Sequence, residues 1–171
     1  MRTIFLDVDG VIRNIVKAII QKMREEGIPV RPVTDWNTLF KNGITFADIF
    51  YSFPYLLVIA PPYQRAHFFT WNLSHLGEIV FLSMQNDYGR EATVRWLNNK
   101  GFLAYGIDVQ FVSEAREKLW YLERYKDSIL IDDHPDLEGE KNVLTIGRTW
   151  NKSRMGYKMI LKQIEAFNKS V

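Results

Sequence analysis

The chain opens with an apolar run, Ile4-Phe5-Leu6, that delivers two acids to a glycine in Asp7-Val8-Asp9-Gly10-Val11-Ile12. In an extended strand, residues i and i+2 lie on one face, so both carboxylates point into the same space at the strand's end. Two carboxylates held that close repel each other unless a cation or a shared proton sits between them. A strand ending in an ordinary acidic turn is the bland alternative, and the rest of the chain weighs against it.

The 171 residues suit one domain with a small insertion. A 47% hydrophobic content is that of a normal globular core. The net charge of +2 and the lack of any basic block give no case for nucleic-acid binding. Without cysteine there is no disulfide framework, thiolate nucleophile or zinc–thiolate site. The N-terminus does not read as a signal peptide, and no apolar stretch reaches membrane-spanning length, so a cytoplasmic protein with no membrane partner is expected.

Hydrophobic periodicity predicts strands at 2–6, 78–83, 108–112, 128–132 and 142–146. It predicts helices at 15–26, 63–76, 89–100, 114–126 and 157–167, several of them closed by Gly27, Gly77 or Gly101. Between the first two strands the pattern breaks down. Pro29, Pro32 and Asn42-Gly43 punctuate an aromatic-rich stretch with one short helix candidate at 45–50. The expected fold is therefore α/β, a doubly wound parallel sheet with a small helical cap inserted after the first strand. Residues 1–14 and 62–171 form the core and 15–61 the cap.

Ligands in such sheets bind at the carboxyl ends of the strands. The polar residues gather there: Asp7 and Asp9 after the first strand, Ser83 on the second, Asp132-Asp133 on the fourth, with Lys118 on the helix after the third. That set suits phosphoryl transfer. A carboxylate can accept a phosphoryl group, oxygen ligands suit Mg²⁺, and a hydroxyl and an ammonium can hold phosphate oxygens.

The same residues resemble the four motifs of the haloacid dehalogenase (HAD) superfamily of phosphohydrolases, in order. Asp7-Val8-Asp9-Gly10-Val11 is similar to the first, Ile79-Val80-Phe81-Leu82-Ser83 to the second, Lys118 to the third and Ile129-Leu130-Ile131-Asp132-Asp133 to the fourth. The resemblance implies a Rossmann-like core and Asp7 as nucleophile and metal ligand. It implies Asp9 as general acid and base, with its carbonyl on the metal, and Asp132 and Asp133 as the acidic pair at the metal, one of the two touching the ion. Ser83, Lys118, Met84 and Gly10 would hold phosphate, and the cofactor would be Mg²⁺. Within the superfamily the chain looks most like the 5′-nucleotidase and 5′(3′)-deoxyribonucleotidase group. The grounds are Asp9-Gly10-Val11-Ile12, the small cap, Arg95-Trp96-Leu97, and Ile131-Asp132-Asp133-His134-Pro135 followed by Gly147-Arg148-Thr149-Trp150-Asn151. A nucleoside monophosphate is then the expected substrate. A polynucleotide 3′-phosphatase, a phosphotransferase and a non-catalytic phospho-ligand binding module are the alternatives.

Other residues compete for roles. Arg116 competes with Lys118, both lying within one helical turn. Of the aromatics Trp36, Phe40, Phe46, Phe50, Tyr51, Phe53 and Tyr55, most are expected to form the cap's own core, with Phe46 or Tyr51 free to stack on a base. His67 and His75 read as packing or surface residues, and His134 adjoins the acidic pair. Arg148, with Asn151, is placed either to close over the phosphate or to sit solvated at a strand end.

Overall fold

The computed structural model describes residues 2–34, 45, 48–49, 52–53 and 55–169. Its centre is a five-stranded sheet: β1 (Thr3–Leu6), β2 (Glu78–Met84), β3 (Gly106–Val112), β4 (Ile129–Asp132) and β5 (Val143–Thr145), in the order β3-β2-β1-β4-β5. Every pairing is parallel. Parallel strands need crossovers: α1 (Ile15–Glu25), α2 (Tyr55–Ile59) and α3 (Ala66–Ser74) lie between β1 and β2, α4 (Asp87–Asn99) between β2 and β3, α5 (Lys118–Arg124) between β3 and β4 and a 3₁₀ turn (Pro135–Leu137) between β4 and β5, while α6 (Tyr157–Lys169) follows β5.

The central strands β1, β2 and β4 are apolar on both faces because both faces are covered, whereas edge strand β3 carries Asp108 and Gln110 and is partly exposed. Ile4 and Leu6, with Ile79, Phe81, Ile129 and Ile131, pack under α3, α4 and α6 through Phe69, Leu73, Trp96, Ile160 and Ile164. The alternate residues Phe5, Val80, Leu82 and Leu130 face the other way, against Ala115, Leu119, Leu122 and Leu137. A third cluster gathers Ile15, Ala18, Ile19, Met23, Ile49, Leu56 and Leu57 from the stretch between β1 and β2 and reaches α4 through Ala92 and the turn after β5 through Trp150.

Register builds the site's floor. Leu6 pairs with Phe81 on one side and Ile131 on the other, and the amide of Asp7 donates to the carbonyl of Ile131 at 3.0 Å. Asp7 therefore emerges beside Asp132, at the carboxyl edge where β2 ends in Ser83-Met84.

Some boundaries differ from expectation. The helix expected from residue 63 starts at Ala66, because the amide of Tyr63 is used on the carbonyl of Ile12 and Arg65 is left-handed at φ 66°. The helix expected from Gly89 starts at Asp87, since the Asn86 side chain accepts the Gly89 amide and caps it. The single helix expected over 114–126 is a 3₁₀ turn, Ala115–Glu117, that leads into α5. The short helix candidate at 45–50 lies mostly outside the described residues.

The insertion leaves and returns through adjacent chain segments. Asn14 donates its amide to the carbonyl of Pro61 at 2.9 Å, and Arg13 bridges Pro62. Fully buried Trp96 on α4 donates its indole N–H to the carbonyl of Ala60 at 2.7 Å, which fixes the return segment to the core. Trp96→Phe keeps an aromatic ring but leaves that carbonyl without its donor. It is expected to lower unfolding free energy by about 1–3 kcal/mol, measured by urea denaturation; an unchanged midpoint would show that the bond contributes nothing.

Candidate active site

The first residue of α5, Lys118, is buried, and its Nζ sits between two carboxylates, 2.8 Å from Asp7 Oδ1 and 2.7 Å from Asp132 Oδ2. The other oxygen of Asp132 accepts the backbone amide of His134 at 2.8 Å. Asp133, next along, accepts the indole N–H of Trp150 on Oδ2 at 2.7 Å. Asp7, Asp132 and Asp133 are all buried, and each offers an oxygen within 4.8 Å of the others.

Gly10 lets that cluster close. Its φ is +73°, and a Cβ built there would lie 2.0 Å from Asp133 Oδ2. Any other residue would meet both backbone strain and the carboxylate. Arg148 holds the same turn from outside: its guanidinium donates to the carbonyls of Gly10, Val11 and Gly147, and lies 4.1 Å from the centre of the Tyr63 ring. Three of its donors are thus used on backbone, and it braces the loop. Asn151 bonds the carbonyls of Asp133 and Ile146 at 2.8 and 2.9 Å.

Asp9 faces a different partner. Its carboxylate accepts from Arg13 Nε on Oδ1 at 2.7 Å and from Arg13 Nη2 on Oδ2 at 2.6 Å. Gln85 Nε2 adds a third bond to Oδ2 at 2.6 Å, and is 3.3 Å from the Oγ of buried Ser83. Met84 packs its side chain against the Val80–Leu82 face of the sheet. Arg116 lies outside, in an exposed 3.7 Å pair with Glu140. His67 stacks on Phe102, and His75 bonds the carbonyl of Trp71. The His134 ring accepts the amide of Asp136, and burial pushes its pKa down. The aromatics Phe46 and Tyr51 lie outside the described residues.

Neither Arg13, Gln85 nor Trp150 was singled out from the sequence. A signal existed for Arg13, an arginine between the apolar pair Val11-Ile12 and the helix opening at Ile15. Gln85 and Trp150 carry no comparable mark.

Electrostatics sets what the cluster can hold. Burial raises the Asp7 carboxyl to about 7, against the attraction of Lys118, with Asp132 and Asp9 adding to the rise. Burial likewise pushes Asp133 well above the ordinary carboxylate range. Burial alone would pull Lys118 down, but Asp132 and Asp7 together outweigh it and hold its ammonium charged. With all groups ionised, three carboxylates against one ammonium leave two negative charges uncompensated. An all-oxygen donor set with that charge fits a hard divalent cation such as Mg²⁺.

No protein-family profile and no curated protein sequence matches the chain. Among solved structures, the fold is similar to that of a HAD-hydrolase, YfnB from Bacillus subtilis, in a magnesium-bound crystal form that reveals interdomain movement. The TM-score is 0.56 over 97% of each chain, at 13% sequence identity. The five-stranded parallel sheet with its covering helices is therefore a Rossmann-like α/β fold shared with a HAD-hydrolase.

The raised Asp7 pKa makes a pH prediction for the metal-free protein. The folded state binds this proton more tightly than the unfolded chain, so its contribution to stability is complete below about pH 4 and is lost as pH rises towards 7. In EDTA, the thermal midpoint of Asp7→Asn should gain on that of the wild type between about pH 5 and about pH 8. A constant gap across that range would contradict the assignment.

Proposed function

We propose that the chain is a Mg²⁺-dependent phosphomonoester hydrolase that works through an aspartyl-phosphate on Asp7. The observation that supports this best is the buried Asp7–Lys118–Asp132–Asp133 cluster at the carboxyl edge of a parallel sheet. Structural ion-pair networks rarely bury three carboxylates against one ammonium.

In this reading Asp7, Asp132 and Asp133 hold Mg²⁺, with the carbonyl of Asp9 as a further ligand. When bound, the ion offsets the negative charge of the acids and of the phosphate. Asp7 forms an O–P bond as the ester P–O bond breaks, and Asp9 gives its proton to the departing oxygen. Asp9 then takes a proton from water, whose oxygen attacks phosphorus while the bond to Asp7 breaks and frees the carboxylate. Ser83, Lys118 and the backbone at Gly10 and Met84 steady the phosphate oxygens, and Lys118 is already fixed by its two acids.

Residues 15–61 would act as a cap over this edge. The aromatic wealth of that stretch favours a (deoxy)nucleoside monophosphate as substrate, because a base gives an aromatic side chain a face to stack on. A cytoplasmic location fits such a substrate, and no helix among the described residues is long and apolar enough to cross a membrane.

Phosphate release from a panel of nucleoside monophosphates and sugar phosphates tests the reading. Release is expected with Mg²⁺, not with EDTA, and strongest for one nucleotide class. Asp7→Asn should lower turnover by about 10³-fold or more while the protein stays folded. Activity close to wild type in that variant would overturn the mechanism. Folded wild-type protein that releases no phosphate would favour a phospho-ligand binding module.

A further inference from the structure

Arg13 is fully buried, and the carboxyl group it meets at hydrogen-bond distance is that of Asp9. Burying a guanidinium is costly, and a buried ion pair seldom stabilises a fold more than apolar residues of the same volume would. A pair kept at this position therefore points to the carboxylate it orients. The contact is a two-pronged fork, Nε to Oδ1 and Nη2 to Oδ2, which fixes the plane of the carboxylate as well as its place.

The guanidinium is itself held on every side. Nη1 donates to the carbonyl of Leu57 on α2 at 3.1 Å, Nη2 also donates to Thr93 Oγ1 on α4 at 2.9 Å, and the group lies 5.3 Å from the centre of the Trp96 ring. Gln85 shares Asp9 Oδ2 with Arg13 and lies next to Ser83. Asp9 is thus locked between the inserted stretch, α4 and the end of β2, beside the Asp7–Asp132–Asp133 cluster but not part of it.

We infer that Arg13 is the positioning residue for Asp9, with Leu57 and Thr93 setting the fork, so that the orientation of the acid–base carboxylate is fixed jointly by the insertion and the core. This rests on the phosphatase reading above. The side-chain hydrogen bonds of Arg13 go to Asp9, Leu57 and Thr93 and to none of Asp7, Asp132 and Asp133, so its influence on the reaction would run through Asp9.

The experiment compares two substrates in the Mg²⁺-loaded enzyme: a nucleoside 5′-monophosphate, whose alkoxide must be protonated to leave, and p-nitrophenyl phosphate, whose phenolate leaves without a proton. Arg13→Lys keeps the charge but loses the fork. It is expected to lower kcat on the nucleotide by about 10²-fold, the scale of one misplaced acid–base group, with KM within about twofold. The loss on p-nitrophenyl phosphate should be at least about threefold smaller. Arg13→Met should lose more than Arg13→Lys on the nucleotide. If Arg13→Lys does not fold, Thr93→Val carries the test: it removes one bond to the guanidinium and should show the same nucleotide-over-aryl pattern at smaller size. Equal losses on both substrates, or an effect confined to KM, would mean a merely structural arginine and overturn the proposal while leaving the phosphatase reading standing. Wild-type protein inactive on both substrates would remove the phosphatase reading and this proposal together.

Discussion

The attraction of one ammonium for two acids holds the edge of this molecule together. Lys118 lies between Asp7 and Asp132, which the β1–β4 register has already set side by side. Without it, parallel pairing would force like charges into a space with almost no water, where an unpaired carboxylate is costly. The lysine relieves only part of that charge. The remainder falls on Asp7 and Asp133, whose carboxyls burial raises well above their ordinary values. An edge with this surplus has a reason to take up a divalent cation and then an anionic group.

A second buried ion pair stands beside the first and is built differently. Arg13 and Asp9 meet through a fork, and the guanidinium draws on the inserted stretch, on α4 and on an aromatic ring. The two pairs divide the acids. Asp7, Asp132 and Asp133 face one another, whereas the carboxylate of Asp9 faces Arg13 and Gln85. A glycine with positive φ and the Arg148 brace allow two acids two residues apart to serve separate environments.

Much of this was legible before any coordinates. Short apolar runs alternating with helical segments point to strands of a covered parallel sheet, so the α/β class and the edge where Asp7, Ser83 and Asp132 end could be read from the sequence. Boundaries were less legible where a local bond competed with periodicity. Tyr63 gives its amide to Ile12 instead of opening α3, and Asn86 starts α4 earlier than Gly89 implied. Arg148 reads in sequence as a phosphate clamp or a solvated strand end, and its three backbone acceptors make it a brace.

By itself the sequence determined the α/β class, the parallel edge and the acids that gather there, because hydrophobic period and strand-end position are local properties of the chain. Tertiary structure alone decided the pairings. Lys118 on two acids, Arg13 and Gln85 on Asp9, and Trp150 on Asp133 join residues from separate elements. Which donor meets which carboxylate depends on where packing delivers each side chain in the folded core, a long-range outcome that no local pattern encodes.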